Sequence, residues 1–201
     1  METHDAHKAV PVKNMPAPSL LPKNPPLLGS LSQSKSSTFT SPSLPKIKIG
    51  WFTFSCCEDN TIVMTEIMND HWQEWKSLFD FRHVRVLKSK NIFDEFDIAF
   101  IEGAIASDKH EKELKEIRAR SKKLVAVGAC AVIGMPSAQR NFFNEEQKAE
   151  IDFLLARFAA LPRVLKVSDV VSVDAEIPGC PMEPARFLEA VNALVAELRP
   201  Q

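Results

Sequence analysis

Strand-like and helix-like stretches alternate along this chain from residue 46 onward, and that alternation leaves few folds open. Apolar runs at residues 46–54, 84–87, 97–101 and 124–127 have the length and the β-branched or aromatic content of buried strands. Segments with helical spacing fall at 60–79, 107–120, 145–161 and 183–198, and residues 164–173 read as extended. In the first helical segment Ile62, Val63, Ile67, Trp72, Trp75 and Leu78 lie broadly on one side. Ser107 and Asn144 stand where N-caps are wanted, and Asp59 offers a cap to the first helix. Strands separated by helices make βαβ units. The expected fold is therefore α/β and flavodoxin-like, a mostly parallel sheet flanked by helices.

The first 45 residues differ in composition. Pro16-Ala17-Pro18, Pro25-Pro26 and Ser34-Lys35-Ser36-Ser37 suit neither helix nor sheet ladder. Residues 1–45 are expected to be a disordered or partner-wrapping tail, and residues 46–201 a single domain. Charge narrows the partners. The 25 lysines and arginines balance 26 acidic residues, and no basic stripe interleaves with aromatics, so no nucleic-acid partner is expected. No stretch approaches the roughly 20 apolar residues that span a bilayer, and the first residues lack the cationic and apolar regions of a signal peptide. The expected location is cytoplasmic, where thiols stay reduced and cysteine serves metal or redox chemistry.

The four cysteines fall where such a fold gathers ligands. Cys56 and Cys57 follow the first strand, Cys130 follows the run at 124–127, and Cys180 lies beyond Val171-Ser172-Val173-Asp174 in Gly179-Cys180-Pro181. In an open parallel sheet the carboxyl ends of the strands form one edge, and ligands bind there. Of only six glycines, Gly103, Gly128, Gly134 and Gly179 flank the same edge, where backbone amides can approach an anion. The first helix directs its positive end toward Cys56 and Cys57. The long gaps between cysteines suit neither a zinc finger nor a ferredoxin run, so the folded sheet must assemble the site. Thiol-only ligation favours an iron–sulfur cluster or zinc over hard cations. A [4Fe–4S] cluster answers the pattern. Buried structural cysteines, a zinc site and a thiol catalyst are the alternatives.

Four strings carry a more specific likeness. Phe54-Ser55-Cys56-Cys57, Asp97-Ile98-Ala99-Phe100-Ile101-Glu102-Gly103, Val127-Gly128-Ala129-Cys130-Ala131 and Ile177-Pro178-Gly179-Cys180-Pro181 occur in that order. Together they resemble the small subunit of cytoplasmic [NiFe]-hydrogenases, and are similar to the related 20 kDa cluster-bearing subunit of respiratory complex I. The likeness covers roughly residues 46–198. It implies an oxidoreductase complex in which this chain is the non-catalytic electron-transfer subunit. One proximal [4Fe–4S] cluster would rest on Cys56, Cys57, Cys130 and Cys180. Glu102 and Gly103 match the acidic-glycine turn beside the cluster, with Gly128, Gly179 and Pro181 around it. The implied partners are a hydrogenase large subunit holding a NiFe centre and a flavin- or ferredoxin-type electron-transfer subunit.

The first motif departs from the hydrogenase pattern. Those small subunits carry Cys-x-x-Cys there, whereas this chain reads Cys56-Cys57-Glu58-Asp59-Asn60, a tandem pair of the complex I kind. Asn60 is then a conceivable replacement for a lost ligand, with Cys57 still offering a fourth thiolate. The other strand-end strings and Arg140-Asn141 favour the hydrogenase side. Four thiols make one tetrathiolate cluster and no more. The rival readings are a complex I-like subunit passing electrons to quinone, and a zinc-bearing or metal-free interaction module.

Other residues carry less. His71, His83 and His110 have no ligand cluster at suitable spacing. Trp72 and Trp75 are expected in the core or at an interface, and the charges at 109–120 on a solvated helix face. Glu102 suits either proton relay or the acceptance of hydrogen bonds.

Overall fold

The computed structural model describes residues 45–199. The expected tail, all but its last residue, lies outside the described residues. In chain order the elements are β1 (Ile47–Thr53), α1 (Asp59–Leu78), β2 (Phe79–Val84), β3 (Phe96–Glu102), β4 (Ile105–Ser107), α2 (Asp108–Ala119), β5 (Ser121–Val127), α3 (Gly128–Ile133), α4 (Glu145–Arg157), β6 (Ala160–Leu165), β7 (Ala175–Ile177) and α5 (Pro184–Leu198). Five strands form one sheet in the order β2-β1-β3-β5-β7, every neighbouring pair parallel. Numbered within that sheet alone, the order is 2-1-3-4-5. That is the doubly wound, flavodoxin-type arrangement.

Central strands of a parallel sheet are apolar on both faces because helices cover both. Here Ile47, Ile49 and Trp51 of β1 pack with Met64, Ile67, Met68 and Trp75 of α1 and with Phe187, Val191 and Leu194 of α5. The alternate residue Phe52 faces the other layer, where Ala99, Ile101 and Leu124 meet Leu114 and Ile117 of α2. Trp51 lies 5.6 Å from Phe100, and Phe100 lies 5.5 Å from Phe187, ring centre to ring centre. Each large side chain buried this way contributes roughly 1.5–3 kcal/mol.

Several boundaries differ from the sequence expectation. The second strand is Phe79–Val84 rather than 84–87: it leaves α1 with no connecting loop, and Val84 opens a turn closed by the Leu87 amide on the Val84 carbonyl at 3.0 Å. The helix α4 stops at Arg157, not 161, because Ala159 takes a left-handed φ of 47° and turns the chain into β6. β6 pairs antiparallel with β4 outside the main sheet, and the stretch read as extended at 164–173 contains a 3-10 turn, Val167–Asp169. Ser107 does cap α2, accepting from the His110 amide at 3.3 Å. Asn144 caps α4 in a reciprocal pair with Gln147. Asp59 does not cap α1. The cap position belongs to Glu58, whose φ of 66° costs roughly 1–2 kcal/mol for a residue with a Cβ. Trp75 is in the core, whereas Trp72 is exposed and stacks on Phe81.

Candidate metal centre

Thr53 pairs with Glu102, Glu102 with Val127, and Val127 with Ile177, so four neighbouring strands end on one rung of the sheet. Cys56, Cys130 and Cys180 each lie three residues beyond that rung, and Cys57 four. The remaining strand of the four, β3, presents Glu102 and Gly103. Strand order reverses between β1 and β3, which is where doubly wound sheets leave a crevice for ligands. Expected and observed edges coincide.

Backbone and side-chain hydrogen bonds fasten the three cysteine-bearing loops to one another. Ser55 and Ala104 exchange amide–carbonyl bonds of 3.1 and 3.0 Å, which ties the Cys56 loop to the turn after β3. The Ser137 hydroxyl lies 2.8 Å from the Ser55 carbonyl and 3.2 Å from the Cys130 sulfur. The Ala129 amide donates to the Gly179 carbonyl at 2.7 Å, and the Met182 amide donates to the Asn60 Oδ1 at 2.8 Å. Pro181 lies inside the turn closed by a Gly179–Met182 bridge. Two glycines are demanded by this packing. Gly103, at φ 94°, would place a Cβ 2.8 Å from the Phe54 carbonyl carbon, and Gly128, at φ 82°, would place one 2.3 Å from the Asn60 Nδ2. Their smallness serves loop-on-loop contact, not only the approach of amides to an anion.

The thiols divide by exposure. Cys130 is 7% exposed and Cys56 half-buried, while Cys57 and Cys180 face solvent, and none is in a disulfide. Burial pushes the Cys56 thiol up to about 12, helped by the negative charge of Glu102 and opposed by the Glu58 backbone amide. Cys57 also moves up: the Asp59 amide works against the shift, but burial and the Asp59 carboxylate outweigh it. These thiols keep their protons at neutral pH, so a bound cation has to displace them. Among the described residues, no three His, Cys, Asp or Glu side chains are gathered closely enough for a single metal ion. A lone zinc ion would draw each thiolate to about 2.3 Å.

Glu102 is fully buried. Its Oε1 accepts from the Asn60 amide at 3.1 Å and from the Asn60 Nδ2 at 3.0 Å, and its Oε2 accepts from the Thr61 hydroxyl at 2.5 Å. Thr61 in turn accepts from the Trp51 indole at 2.8 Å. The carboxylate therefore caps α1 from another strand and takes the positive helix end that the sequence pointed at the thiols. Of the two roles open to it, hydrogen-bond acceptance is the one these contacts describe. Both ends of the Asn60 carboxamide are engaged, the nitrogen with Glu102 and the oxygen with the Met182 amide. Sequence reasoning missed the structural roles of Asn60, Thr61 and Ser137. For the first two the signal was available: a polar pair on the inward side of a helix's first turn needs buried partners. The three histidines remain off the site, His71 in a surface pair with Glu74, His83 stacked on Phe52, and His110 beside Phe54.

Residues 57–194 match the profile of the family described as NADH ubiquinone oxidoreductase, 20 Kd subunit. The gamma chain of the coenzyme F420 hydrogenase of Methanosarcina barkeri is 29% identical over 150 residues, 69% of this chain and 50% of that protein. A subunit of the F420-non-reducing hydrogenase of Methanothermobacter thermautotrophicus is 28% identical over 131 residues, 58% of this chain and 42% of its own length. The delta chain of the NAD-reducing hydrogenase HoxS of Cupriavidus necator is 29% identical over 122 residues, 53% of this chain and 58% of its own. The chain thus spans about half the length of these relatives. Among solved structures, a chain of an NAD+-reducing [NiFe]-hydrogenase in the H2-reduced state superposes with a TM-score of 0.66 at 24% identity, over 78% of this chain and 95% of that one. At that identity the likeness speaks for the fold. No helix among the described residues is long and apolar enough to cross a membrane.

Proposed function

This chain belongs to the family of the NADH ubiquinone oxidoreductase 20 kDa subunit, and from that premise we propose that it is the electron-transfer small subunit of a cytoplasmic [NiFe]-hydrogenase complex. The observation that carries the reading is the common rung: three remote segments deliver four thiols to one sheet edge, the tandem pair beside the switch point between β1 and β3. The donor set fits a [4Fe–4S] cluster. It is all sulfur, and four irons each take one thiolate, which asks for thiols spread more widely than a single ion allows. Cys56, Cys57, Cys130 and Cys180 would hold the cluster, which when bound would take up and release single electrons.

The chain's own residues supply the setting. The amides of Glu58 and Asp59 pull the Cys56 and Cys57 sulfurs toward the charged form. Glu102, through Asn60 and Thr61, fixes the first turn of α1 and with it the exit of the tandem pair. Buried Cys130 gives the site an inner wall, while exposed Cys57 and Cys180 give it an open side. A large subunit with the NiFe centre would cover that side, and a flavin- or ferredoxin-type subunit would receive the electrons. The relatives support this assignment over the complex I-like one, since their names are those of hydrogenase subunits.

The test is the metal content of the complex captured anaerobically through a tag on this chain. Iron here with nickel in a co-purifying large subunit is the expected result. Iron without nickel would turn the assignment to a complex I-like subunit, the reading that the tandem cysteines favour. No iron would overturn electron transfer altogether.

A further inference from the structure

Ser137 stands between two of the cysteine loops without belonging to either. It follows α3, and two short bonds hold it there: the Ala138 amide donates to the Gly134 carbonyl at 2.8 Å, and the Asn141 amide to the Ala138 carbonyl at 2.9 Å. Ala138 beside it is buried in a small cluster with Ala104, Cys130 and Val164, so the segment is anchored. From there the hydroxyl reaches the Ser55 carbonyl at 2.8 Å and the Cys130 sulfur at 3.2 Å.

A hydroxyl has one proton to donate and two lone pairs to accept with. While Cys130 is a thiol, both contacts can be hydrogen bonds at once: the S–H donates to Ser137, and Ser137 donates to Ser55. A metal-bound Cys130 has lost its S–H, and the single Ser137 proton then faces two acceptors. The Ser55 carbonyl already accepts from the Ala104 amide at 3.0 Å, so it stays satisfied if Ser137 turns away. The sulfur, nearly enclosed at 7% exposure, has far less access to water.

On the premise that the proposed cluster is bound, we infer that the Ser137 hydroxyl swings from Ser55 to the Cys130 sulfur and tunes the cluster's reduction potential. Hydrogen bonds to the sulfurs are among the determinants of that potential. A donor at a ligand sulfur stabilises the extra negative charge gained on reduction, and it does so more strongly where solvent is excluded. Ser137 is thus a positioning residue, acting through Cys130 and leaving the ligand set unchanged.

The experiment uses the full chain reconstituted anaerobically with iron and sulfide, with the midpoint potential read by spectroscopic redox titration. Ser137→Ala should shift the midpoint to a lower value, and Ser137→Thr should hold it near the parent's. Ser137→Val against Ser137→Thr repeats the comparison between two side chains of the same shape, one with the hydroxyl and one without, should the alanine chain fail to fold. Equal midpoints within both pairs would overturn the inference, and a lowered melting temperature with an unchanged midpoint would assign the hydroxyl to loop fastening alone. If the parent chain takes up no iron and sulfide, the proposed function itself has failed and this role falls with it.

Discussion

The carbonyl of Gly179 accepts a hydrogen bond from the amide of Ala129 at 2.7 Å, which ties together the residues immediately before Cys180 and Cys130. Two thiols 50 positions apart in sequence are thereby held by one backbone bond. The cysteines themselves provide the first prediction. Cys130→Ser and Cys180→Ser should each lose most of the iron and sulfide that the parent chain takes up, or convert the cluster to a different spectroscopic form. Both should keep the fold, because the Ala129–Gly179 bond uses no side chain. Unchanged iron content and absorption in either variant would remove that residue from the ligand set.

Glu102 should be worth more to stability than its position beside the thiols suggests. Glu102→Gln can keep its oxygen on Asn60, but its NH2 then faces the Thr61 hydroxyl, which can accept it only by turning its own proton away from the acceptor it had, at a cost of roughly 1–3 kcal/mol. A shift of the denaturant midpoint in the metal-free chain measures it. An unmoved midpoint would show that α1 does not depend on its cap from β3.

Gly128 and Gly134 make a paired test, since their backbones are alike at φ 82° and 81°. A Cβ on Gly128 would meet the Asn60 carboxamide at 2.3 Å, whereas one on Gly134 meets only Ala138 at 3.4 Å. Gly134→Ala should cost about 1–2 kcal/mol of left-handed strain. Gly128→Ala adds the displacement of Asn60 and should cost roughly 3 kcal/mol or more. Equal melting temperatures for the two would mean that Asn60 yields freely.

Acid should weaken the fold through His83 and His110. Burial lowers the pKa of both below the ordinary 6.5, with Arg85 and Lys88 lowering His83 further, Lys109 lowering His110, and Glu113 opposing the shift in each. The unfolded chain then binds protons near pH 6.5 that the folded chain still refuses, so stability rises with pH in that window. The fold should be at full strength above about pH 7 and lose stability as pH falls through roughly 6.5 toward the lowered values. Replacing both histidines with phenylalanine should flatten the slope below about pH 7 in denaturant titrations. A slope that survives the double substitution would place its origin elsewhere.

The sheet edge was legible because strand ends, cysteines and glycines each mark it locally. Cys56 and Cys130 could be placed on it from their distance beyond apolar runs alone, whereas the strand that leads to Cys180, Ala175–Ile177, is only three residues long and lies past the stretch read as extended at 164–173. The β4–β6 pair was not legible, since the helical spacing of 145–161 runs on through Phe158 and Ala159 and only a backbone turn at Ala159 ends it. The strand Phe79–Val84 was hidden for a similar reason: no polar break separates Leu78 from Phe79. Ser137 and Asn60 escaped because their partners are far off, Ser55 at 82 positions and Met182 at 122, and no local pattern announces such contacts. Asp59 looked like a cap on local grounds, yet a carboxylate from β3 took that place.

The unequal cover of the four thiols fixes the side from which the site can be damaged. Oxidants reach exposed sulfur first, and the steps beyond sulfenic acid are not readily reversed. By exposure, an oxidant meets Cys57 and Cys180 before it meets Cys130. Whatever surface comes to lie over that edge serves as a seal as well as a contact, and a chain purified without it will age from one side inward.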